Sequence, residues 1–412
     1  MKTFYLKYIE NFRGLSREIW MLSLVTLINR AGAMVIPFLS LYLVNAKGFT
    51  LPQVGWIMTC YGTGSLVGAL IGGRLTDAIG YYKVIVLSFF TGGLAFISYQ
   101  FLDSFYAACT GIFILMLLVD SYRPAVFVAC EAYSEPKNVT RGIALIRLAI
   151  NLGCAIGPVV GGIIIARISY DYLFWIDGIT CIIAASLLFL ALKPKVSRKK
   201  ESEEVVIKEG VPAHRNGTYM LFFFIILISS MAFVQYFSSV PLYYEQEHGL
   251  SEDVIGLLFL LNAGMIVFLE MPLVGWLEKI GISKAMATFW GIFFVGVSFI
   301  VLNMSAWSGV LVIGMILMTI GEMIGSPFSN SLALEMAPKG RKGSYMAFYT
   351  MSWSFAHIFG HKGSMDAVNA IGFDATWTIL FIASMAVGAL TIWLHRLRKK
   401  SGTFEVPEIA EE

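Results

Sequence analysis

The sequence predicts an all-α integral membrane protein with twelve transmembrane helices in two six-helix halves. Of its 412 residues, 57% are hydrophobic and only 14% are charged, whereas about a quarter of the residues of a soluble protein are charged. Twelve apolar runs are long enough to cross a bilayer, which takes about 20 helical residues, and motifs of the first half recur in the second. This composition excludes a soluble enzyme, a disordered chain and a disulfide scaffold.

The apolar runs are numbered here as spans 1 to 12 in chain order. The first six are predicted at residues 19–43, 54–75, 83–102, 105–129, 142–165 and 172–192. The last six are predicted at residues 218–242, 253–277, 282–302, 308–333, 344–369 and 375–395. The mixed charges of the interval 193–217 predict a cytoplasmic linker. We therefore expect an N-terminal bundle at 1–192, a C-terminal bundle at 218–397 and a cytoplasmic tail at 398–412.

The placement of lysine and arginine predicts the orientation of these spans. With the N-terminus inside, 24 of the 30 basic residues lie in cytoplasmic segments, and only Lys47 and Arg167 lie in outer loops. Cytoplasmic loops of membrane proteins carry an excess of Lys and Arg. We therefore expect a multi-pass protein of the cell membrane with both termini in the cytoplasm.

Corresponding turns of the two halves carry similar motifs. Glu131 and Arg141 lie at the junction of spans 4 and 5. Glu335 and Arg341 lie in the same order at the junction of spans 10 and 11. Span 2 ends in GRLTDAIG, and span 8 ends in the similar but shorter GWLEKIG. Two related halves that share one orientation predict parallel repeats about an axis along the membrane normal.

The segment GGRLTDAIGYYK, residues 72–83, resembles the signature that follows span 2 in the major facilitator superfamily. The resemblance implies the major facilitator fold, with a substrate site at the midplane between the halves. It also implies a latch of the outward-facing state, formed here by Gly73, Asp77, Gly80, Glu131 and Arg141. Asp77 can accept from the exposed amides of a helix N-terminus. Ala78 departs from the pattern because a basic residue is usual there, and an ordinary cytoplasmic turn is the alternative.

Span 5 contains GCAIGPVVGG, residues 153–162, which is similar to the antiporter signature of the twelve-helix drug:proton antiporters in this superfamily. Its glycines form a smooth stripe on which another helix can pack closely, and its proline permits a bend. The motif residues are Gly153, Gly157, Pro158, Gly161 and Gly162. The resemblance implies a proton-coupled antiporter that exports small amphipathic or drug-like compounds by alternating access.

Four ionisable residues within the spans are candidates for proton coupling. Arg123 on span 4 matches the position of an arginine that the drug antiporters link to proton transfer, and Asp120 lies three residues earlier on the same face. Glu322 and Glu270 are the acids deep in the second half, where loss of water favours the neutral carboxyl that carries a proton. Each has a structural alternative, since a buried ion pair can simply hold helices together.

A second set of polar residues is predicted to line a substrate cavity: Asn29, Arg30, Gln235, Tyr236 and His357. We expect Arg30 to pair with an anionic substrate group, with Glu322 or with Asp120. His357 either takes up a proton in the cavity or is a hydrogen-bonded structural residue. His361 follows it at a spacing that could bind zinc, but no third ligand lies nearby in the sequence, so no metal site is predicted.

The sequence contains no phosphate-binding Gly-Lys-Ser/Thr loop and no nucleophile motif. We therefore expect a non-enzymatic carrier driven by the proton gradient, with no cofactor. Its expected partners are a small-molecule substrate, protons and the lipid bilayer, with no nucleic acid, and we expect it to act as a monomer. A proton-coupled symporter that imports a metabolite, sugar or peptide is the main alternative, which Arg30 favours. A non-transporting membrane receptor or scaffold is a further alternative.

Overall fold

The computed structural model describes residues 15–134, 139–195, 211–304, 307, 309–338 and 342–400. Within these ranges, 11 helices are long and apolar enough to cross a membrane. The last candidate, Tyr345–Lys400, is 56 residues long and contains Gly372, whose φ of 81° bends the helix between predicted spans 11 and 12. The candidates are therefore consistent with twelve spans, and the all-α membrane fold is confirmed.

The helices of the first half match spans 1 to 6, although spans 1 and 4 are each interrupted. Span 1 consists of Arg17–Ala31 and Val35–Leu41, followed by the π-helical turn Tyr42–Ala46. Span 4 consists of Phe105–Asp120 and Tyr122–Tyr133. Spans 2, 3, 5 and 6 are single helices, at Leu51–Ile79, Tyr81–Tyr99, Val139–Arg167 and Asp171–Ala191.

The helices of the second half match spans 7 to 12, and spans 7 and 11 are irregular. A 3-10 turn at Ala213–Arg215 precedes span 7, which consists of Gly217–Phe233, a 3-10 turn at Val234–Phe237, and Ser239–Gln246. Spans 8, 9 and 10 are single helices, at Glu252–Lys279, Lys284–Leu302 and Gly309–Glu335. Span 11 begins as Lys342–Phe355 and continues through a π-helical turn, Ala356–Gly360, into the long helix His361–Lys400.

Tertiary contacts divide the chain into two compact units. The first unit is Met1–Glu203 with Leu250–Ala263, and the second is Glu204–Gly249 with Gly264–Glu412. The division after Glu203 falls in the interval predicted as the linker, and the beginning of span 8 groups with the first unit. Most of the predicted linker, 196–210, and most of the predicted tail, 401–412, lie outside the described residues.

Glycines allow neighbouring helices to approach within each unit. In span 2, a methyl group added at Gly64, Gly68 or Gly72 would lie 2.1–2.5 Å from a carbonyl oxygen of span 4. In the second unit, Gly291 of span 9 lies against Gly325 of span 10, where an added methyl group would be 2.4 Å from Cα. Helix association in a bilayer depends on such close packing because lipid tails are as apolar as the side chains. These stripes therefore set the helix positions around the sites below.

The turns after spans 2 and 8 each contain a glycine with a positive φ angle. Gly80 and Gly281 adopt φ angles of 88° and 69°, a region that only glycine enters without strain. The two turns carry the repeated motif GRLTDAIG and GWLEKIG, so both copies of the motif end in a glycine with a positive φ angle.

Candidate functional site

The carboxylate of Asp120 is the centre of a polar cluster in the first unit. Its Oδ1 lies 2.7 Å from Nε of Arg123, and Ser65 on span 2 donates a hydrogen bond to Oδ2. Asp120 is 1% exposed, whereas the Arg123 side chain is 49% exposed. The ion pair that the three-residue spacing predicts is therefore present. Its role in proton coupling stays a prediction.

Span 4 is interrupted at this ion pair. The helix Phe105–Asp120 ends at the carboxylate residue, and the next helix begins at Tyr122. Pro124 has no amide hydrogen to donate to the carbonyl of Asp120 four residues earlier, so the helical hydrogen-bond ladder loses one bond there. The charged pair thus lies where the helical hydrogen bonding of span 4 is interrupted.

Arg30 joins the same cluster from span 1. Its guanidinium carbon lies 5.5 Å from the ring centre of Tyr122, and its charge interacts with Asp120 and Tyr61. Its Nε is buried and has no hydrogen-bond partner among the described residues. Asn29, the preceding residue, points elsewhere and donates to Sγ of Cys181 at 3.1 Å. Of the two adjacent residues predicted to line a cavity, only Arg30 therefore lies in the charged cluster.

Asp177 on span 6 is a buried carboxylate that the sequence did not predict as a site residue. Its two carboxylate oxygens accept the backbone amides of Met34 at 2.9 Å and Val35 at 3.1 Å, and it is 1% exposed. These amides begin the second helix of span 1, so Asp177 closes the interruption between Ala31 and Val35. The signal in the sequence was a single carboxylate within the apolar run 172–192.

The glycine stripe of span 5 packs against this interruption. A methyl group added at Gly153 would lie 2.5 Å from Cβ of Arg30, and one at Gly157 would lie 3.2 Å from the carbonyl oxygen of Ala33. One at Gly161 would lie 3.1 Å from Cβ of Met34. The antiporter-like motif therefore has a specific partner, which is the broken part of span 1 beside Arg30.

The other two motif positions lie in the same helix. Pro158 is inside the helix Val139–Arg167. A methyl group added at Gly162 would be 2.3 Å from the carbonyl oxygen of Glu252, at the beginning of span 8, which belongs to this unit. Tyr170, just after span 5, donates a hydrogen bond to the Glu252 carboxylate at 2.7 Å. The end of span 5 is therefore held to span 8 by backbone packing and by a side-chain hydrogen bond.

The second unit contains a cavity between spans 7, 9, 10, 11 and 12. The carboxylate residue Glu322 and the aromatic residues Phe233 and Trp353 line it. Hydroxyl groups cover much of the remaining wall, from Ser229, Ser230, Thr288, Ser326, Ser329 and Ser384. Gly291, Gly321 and Gly325 also line it, where spans 9 and 10 pack closely against each other. This cavity combines an acid, hydroxyls and aromatic rings, which suits an amphipathic ligand.

The remaining predicted residues of the second half lie elsewhere. Glu270 is half-buried on span 8, two residues before Pro272. Tyr236 is 0% exposed and donates to Oγ of Ser298 at 2.7 Å. Gln235 donates to the carbonyl oxygen of Gly360 at 3.1 Å and is 1% exposed. Gln235 and Tyr236 therefore connect span 7 to spans 11 and 9 in this conformation, and His357 lies in the π-helical turn of span 11.

The predicted latch is described in part. Gly73 has open space around it, Gly80 forms the turn, and Glu131 is exposed. The side chains of Asp77 and Arg141 lie outside the described part of the chain. In the second half, Glu335 occupies the position that corresponds to Glu131. Its carboxylate contacts Arg398 at 2.6 Å and Lys284 at 2.7 Å, and so connects spans 9, 10 and 12.

A potential metal centre would need at least three suitable side chains together. Across the described ranges, no three His, Cys, Asp or Glu residues form such a group. The expected absence of a metal or another cofactor stays a prediction.

Comparisons with known proteins show what the chain is similar to. The family model described as Major Facilitator Superfamily matches residues 21–361. YttB, an uncharacterised MFS-type transporter of Bacillus subtilis (strain 168), is 25% identical over 390 residues, 91% of this chain and 94% of that protein. Multidrug resistance protein 1 of the same organism is 26% identical over 231 residues, 55% of this chain and 57% of that protein. A crystal structure of the peptide transporter POT in complex with sulfate shares the fold, with a TM-score of 0.77 and 16% identity over 94% of this chain and 96% of that chain.

Proposed function

Since the chain belongs to the Major Facilitator Superfamily, we propose that this multi-pass membrane transporter is a proton-coupled antiporter that exports small amphipathic or drug-like compounds by alternating access. The observation that carries the proposal is the ion pair between the buried carboxylate of Asp120 and Arg123, with Arg30 nearby. The glycine stripe of span 5 beside Arg30 and the partial similarity to Multidrug resistance protein 1 support it.

The ion pair suggests how proton binding could be coupled to movement. Charged groups inside a bilayer need a partner, and a proton on Asp120 removes the negative charge that holds Arg123. Without that negative charge, Arg123 and Arg30 would each favour a new position. Span 4 can move in response because its helix is interrupted at Asp120. A proton therefore shifts the balance between two arrangements of spans 1 and 4, which is the requirement for coupling.

The hydroxyl-lined cavity of the second unit supports the substrate part of the proposal. Phe233 and Trp353 offer apolar surface to the hydrophobic part of a ligand, and Glu322 and the hydroxyl groups offer hydrogen bonds to its polar part. In this assignment, Asp120 and Arg123 handle protons, and Glu322 and Glu270 are further candidates for that role. Asn29, Arg30, Gln235, Tyr236 and His357 remain candidates for contact with substrate during the transport cycle.

The proposal also covers the location, orientation, oligomeric state and energy source of the protein. We assign it to the cell membrane as a monomer with both termini in the cytoplasm, driven by the proton gradient and without a cofactor. The bias of lysine and arginine toward one side of the spans supports this orientation. Labelling of single cysteines placed at residues 2 and 47 in intact cells tests it, because only the second should react with a membrane-impermeant reagent.

The proposal is tested by transport in proteoliposomes that contain the purified protein and a pH-sensitive dye. A thermal-shift screen of compound classes first supplies a ligand. Asp120→Asn should abolish uphill transport driven by an imposed pH gradient while leaving downhill exchange of the ligand measurable. Asp103→Asn is the matched control, because Asp103 is a surface carboxylate that is 85% exposed. If Asp120→Asn and Glu322→Gln both transport as the unaltered protein does, the proton assignment is wrong.

A proton-coupled symporter that imports a metabolite, sugar or peptide is the second candidate. The buried Nε of Arg30, without a hydrogen-bond partner in the described part of the chain, favours a substrate with an anionic group. The direction of proton movement separates the two candidates. In a symporter, substrate entering the vesicles brings protons with it, and in an antiporter it drives protons out. Purified protein that shows no ligand-dependent proton movement with any compound would instead support a receptor or scaffold.

A further inference from the structure

We propose that Cys60 on span 2 and Cys109 on span 4 form a site of reversible oxidation, at which small-molecule disulfides convert the two thiols into a disulfide bond. Both cysteines belong to the first unit, and neither is among the residues of the Asp120 cluster. Formation of the bond is independent of the proposed function, and only its effect on transport rests on that function.

The register of spans 2 and 4 places the two cysteines opposite each other. Methyl groups added at three glycines of span 2 would lie 2.6–3.0 Å from the Cα atoms of the span 4 residues 49 positions later: Gly64 with Phe113, Gly68 with Leu117 and Gly72 with Ser121. The two helices therefore run side by side in one register over more than two turns. Four residues before Gly64, the same register pairs Cys60 with Cys109.

The side chains of the two cysteines meet in the structure. The thiol of Cys109 interacts directly with that of Cys60. A disulfide requires Cβ atoms about 3.5–4.5 Å apart, and the glycine stripe that follows Cys60 brings the backbones of spans 2 and 4 close enough for this separation. The bond can therefore form without a rearrangement of the two helices.

The other three cysteines have different surroundings. Cys130 is buried, with its sulfur 3.9 Å from Oγ of Ser134. Cys181 is buried and accepts a hydrogen bond from Asn29. Cys154 is exposed on span 5. These three cysteines serve as internal references for the reactivity of the pair.

The pair lies near one end of spans 2 and 4 and can be reached from it. Cys60 and Cys109 are both half-buried. Cys109 is four residues after Phe105, the first residue of its helix, which is about 6 Å along the axis. Asp103, just before this helix, is 85% exposed. In the proposed orientation this end faces the cell exterior, where disulfides form and persist.

Tyr99 on span 3 offers a hydrogen-bond donor to this site. It interacts with both thiols, and its buried hydroxyl has no hydrogen-bond partner in the described part of the chain. The thiolate is the form of cysteine that attacks a disulfide, and a hydrogen bond to an ionised acceptor is about twice as strong as one to a neutral acceptor. The hydroxyl of Tyr99 is therefore available to stabilise the attacking sulfur.

Oxidation of the pair proceeds by two thiol–disulfide exchanges. The Cys109 thiolate, nearer to the end of its helix, attacks one sulfur of a small disulfide, forms a mixed disulfide and releases one small thiol. The Cys60 thiolate then attacks the Cys109 sulfur, and the second small thiol leaves. In total, two protein thiols are oxidised and one small disulfide is reduced to two thiols, which take up the two protons.

The new bond joins the two helices that hold the Asp120 carboxylate. Ser65, which follows Gly64, donates to Asp120, and Ser121 donates to the carbonyl oxygen of Gly68 at 3.1 Å. A disulfide between Cys60 and Cys109 keeps spans 2 and 4 at the separation at which these contacts form. If span 4 shifts when Asp120 is protonated, as proposed above, oxidation of the pair restrains that shift.

Peptide mapping tests the bond without any transport measurement. Purified protein is incubated with oxidised glutathione, unfolded, alkylated with N-ethylmaleimide and digested for mass spectrometry. The peptides of Cys60 and Cys109 should be linked and not alkylated, and treatment with dithiothreitol before alkylation should restore both thiols. Full alkylation of both cysteines in the unaltered protein, or a link from either one to another cysteine, would overturn the proposal. This measurement does not depend on the folding of any variant.

Single substitutions separate the two exchange steps. In Cys60→Ser, Cys109 should retain a glutathione adduct, because the thiol that displaces the glutathione is missing. Cys130→Ser is the matched control, since it removes the other cysteine of span 4 and should leave the link intact. An unmodified Cys109 thiol in Cys60→Ser, or loss of the link in Cys130→Ser, would contradict the proposed order. Circular dichroism confirms that both variants are folded.

The effect on transport is measured separately. Oxidised protein in proteoliposomes should lose most of its transport rate for a ligand from the thermal-shift screen, and dithiothreitol should restore it. Cys109→Ser should transport at the same rate with and without oxidised glutathione. Equal rates for the linked and reduced forms would show that the bond does not control transport. Failure of the Asp120 transport test would leave the peptide-mapping result unaffected.

Discussion

The carboxylate of Asp177 accepts the backbone amide of Met34 at 2.9 Å and so closes the interruption of span 1 from a helix 143 residues away in the sequence. The adjacent amide of Val35 bonds to the second carboxylate oxygen at 3.1 Å. Gly32 contacts the same helix so closely that a methyl group there would lie 1.9 Å from Oγ1 of Thr180. Spans 1 and 6 therefore fix the backbone that carries Arg30 into the charged cluster.

Removal of the Asp177 side chain should destabilise the protein. Asp177→Ala leaves two buried amides without acceptors, and each unsatisfied buried donor costs about 1–3 kcal/mol. We expect a clearly lower unfolding temperature in detergent, with a smaller loss for Asp177→Asn, which retains one carbonyl oxygen as an acceptor. The exposed Asp171 provides the control Asp171→Ala. Equal unfolding temperatures for the two alanine variants would show that the capping contact has no stabilising role.

Methyl groups added at different glycines of the span 5 stripe should destabilise the protein to different extents. Gly153→Ala places Cβ 2.5 Å from Cβ of Arg30, whereas Gly157→Ala places it 3.2 Å from the nearest atom. Overpacking of this kind costs about 1–3 kcal/mol, so Gly153→Ala should lower the unfolding temperature more than Gly157→Ala does. Gly264→Ala is the control, because nothing lies within 4 Å of its added methyl group. A larger loss of unfolding temperature in Gly157→Ala than in Gly153→Ala would contradict the packing interpretation.

Ligand binding in the cavity of the second unit should be visible through Trp353. This indole lines the cavity with Glu322, so a bound compound should change its fluorescence. Trp353→Phe should remove most of the ligand-induced change for a compound found in the thermal-shift screen. Trp393→Phe is the matched control, since Trp393 is 51% exposed on the outside of its helix. A ligand response that persists in Trp353→Phe would place the binding site elsewhere.

The beginning of the predicted linker should loosen when one tyrosine hydroxyl is removed. The hydroxyl of Tyr81 accepts the amide of Lys195 at 3.0 Å and donates to its carbonyl oxygen at 2.9 Å. In Tyr81→Phe, the Lys195 amide should exchange with deuterium about fivefold faster, the ratio for a lost hydrogen bond worth about 1 kcal/mol. Tyr82→Phe is the control, because Tyr82 donates to Phe189 instead. The same exchange rate in both variants would mean that the Tyr81 contact does not hold the linker.

Local contacts of the site could be predicted from the sequence, and distant ones could not. The ion pair of Asp120 and Arg123 follows from a spacing of three residues on span 4. Ser65, the third member, lies on another span, and its contact depends on how closely Gly64 and Gly68 let spans 2 and 4 approach. Tyr236 shows the same limit, because its residue type suits a cavity, whereas packing against span 9 encloses it completely.

The sequence by itself determined the membrane class, the spans, the repeat of the two halves and the family. Each of these follows from hydrophobicity and short motifs along the chain. These properties depend on residues that are close in the sequence and not on the rest of the fold. The tertiary structure decided which polar groups meet, including Asp177 with span 1 and His361 with Ser238. The physical reason is that a hydrogen bond between spans requires a particular rotation and separation of two helices. These are set by close packing at glycines far apart in the sequence and not by the composition of either helix.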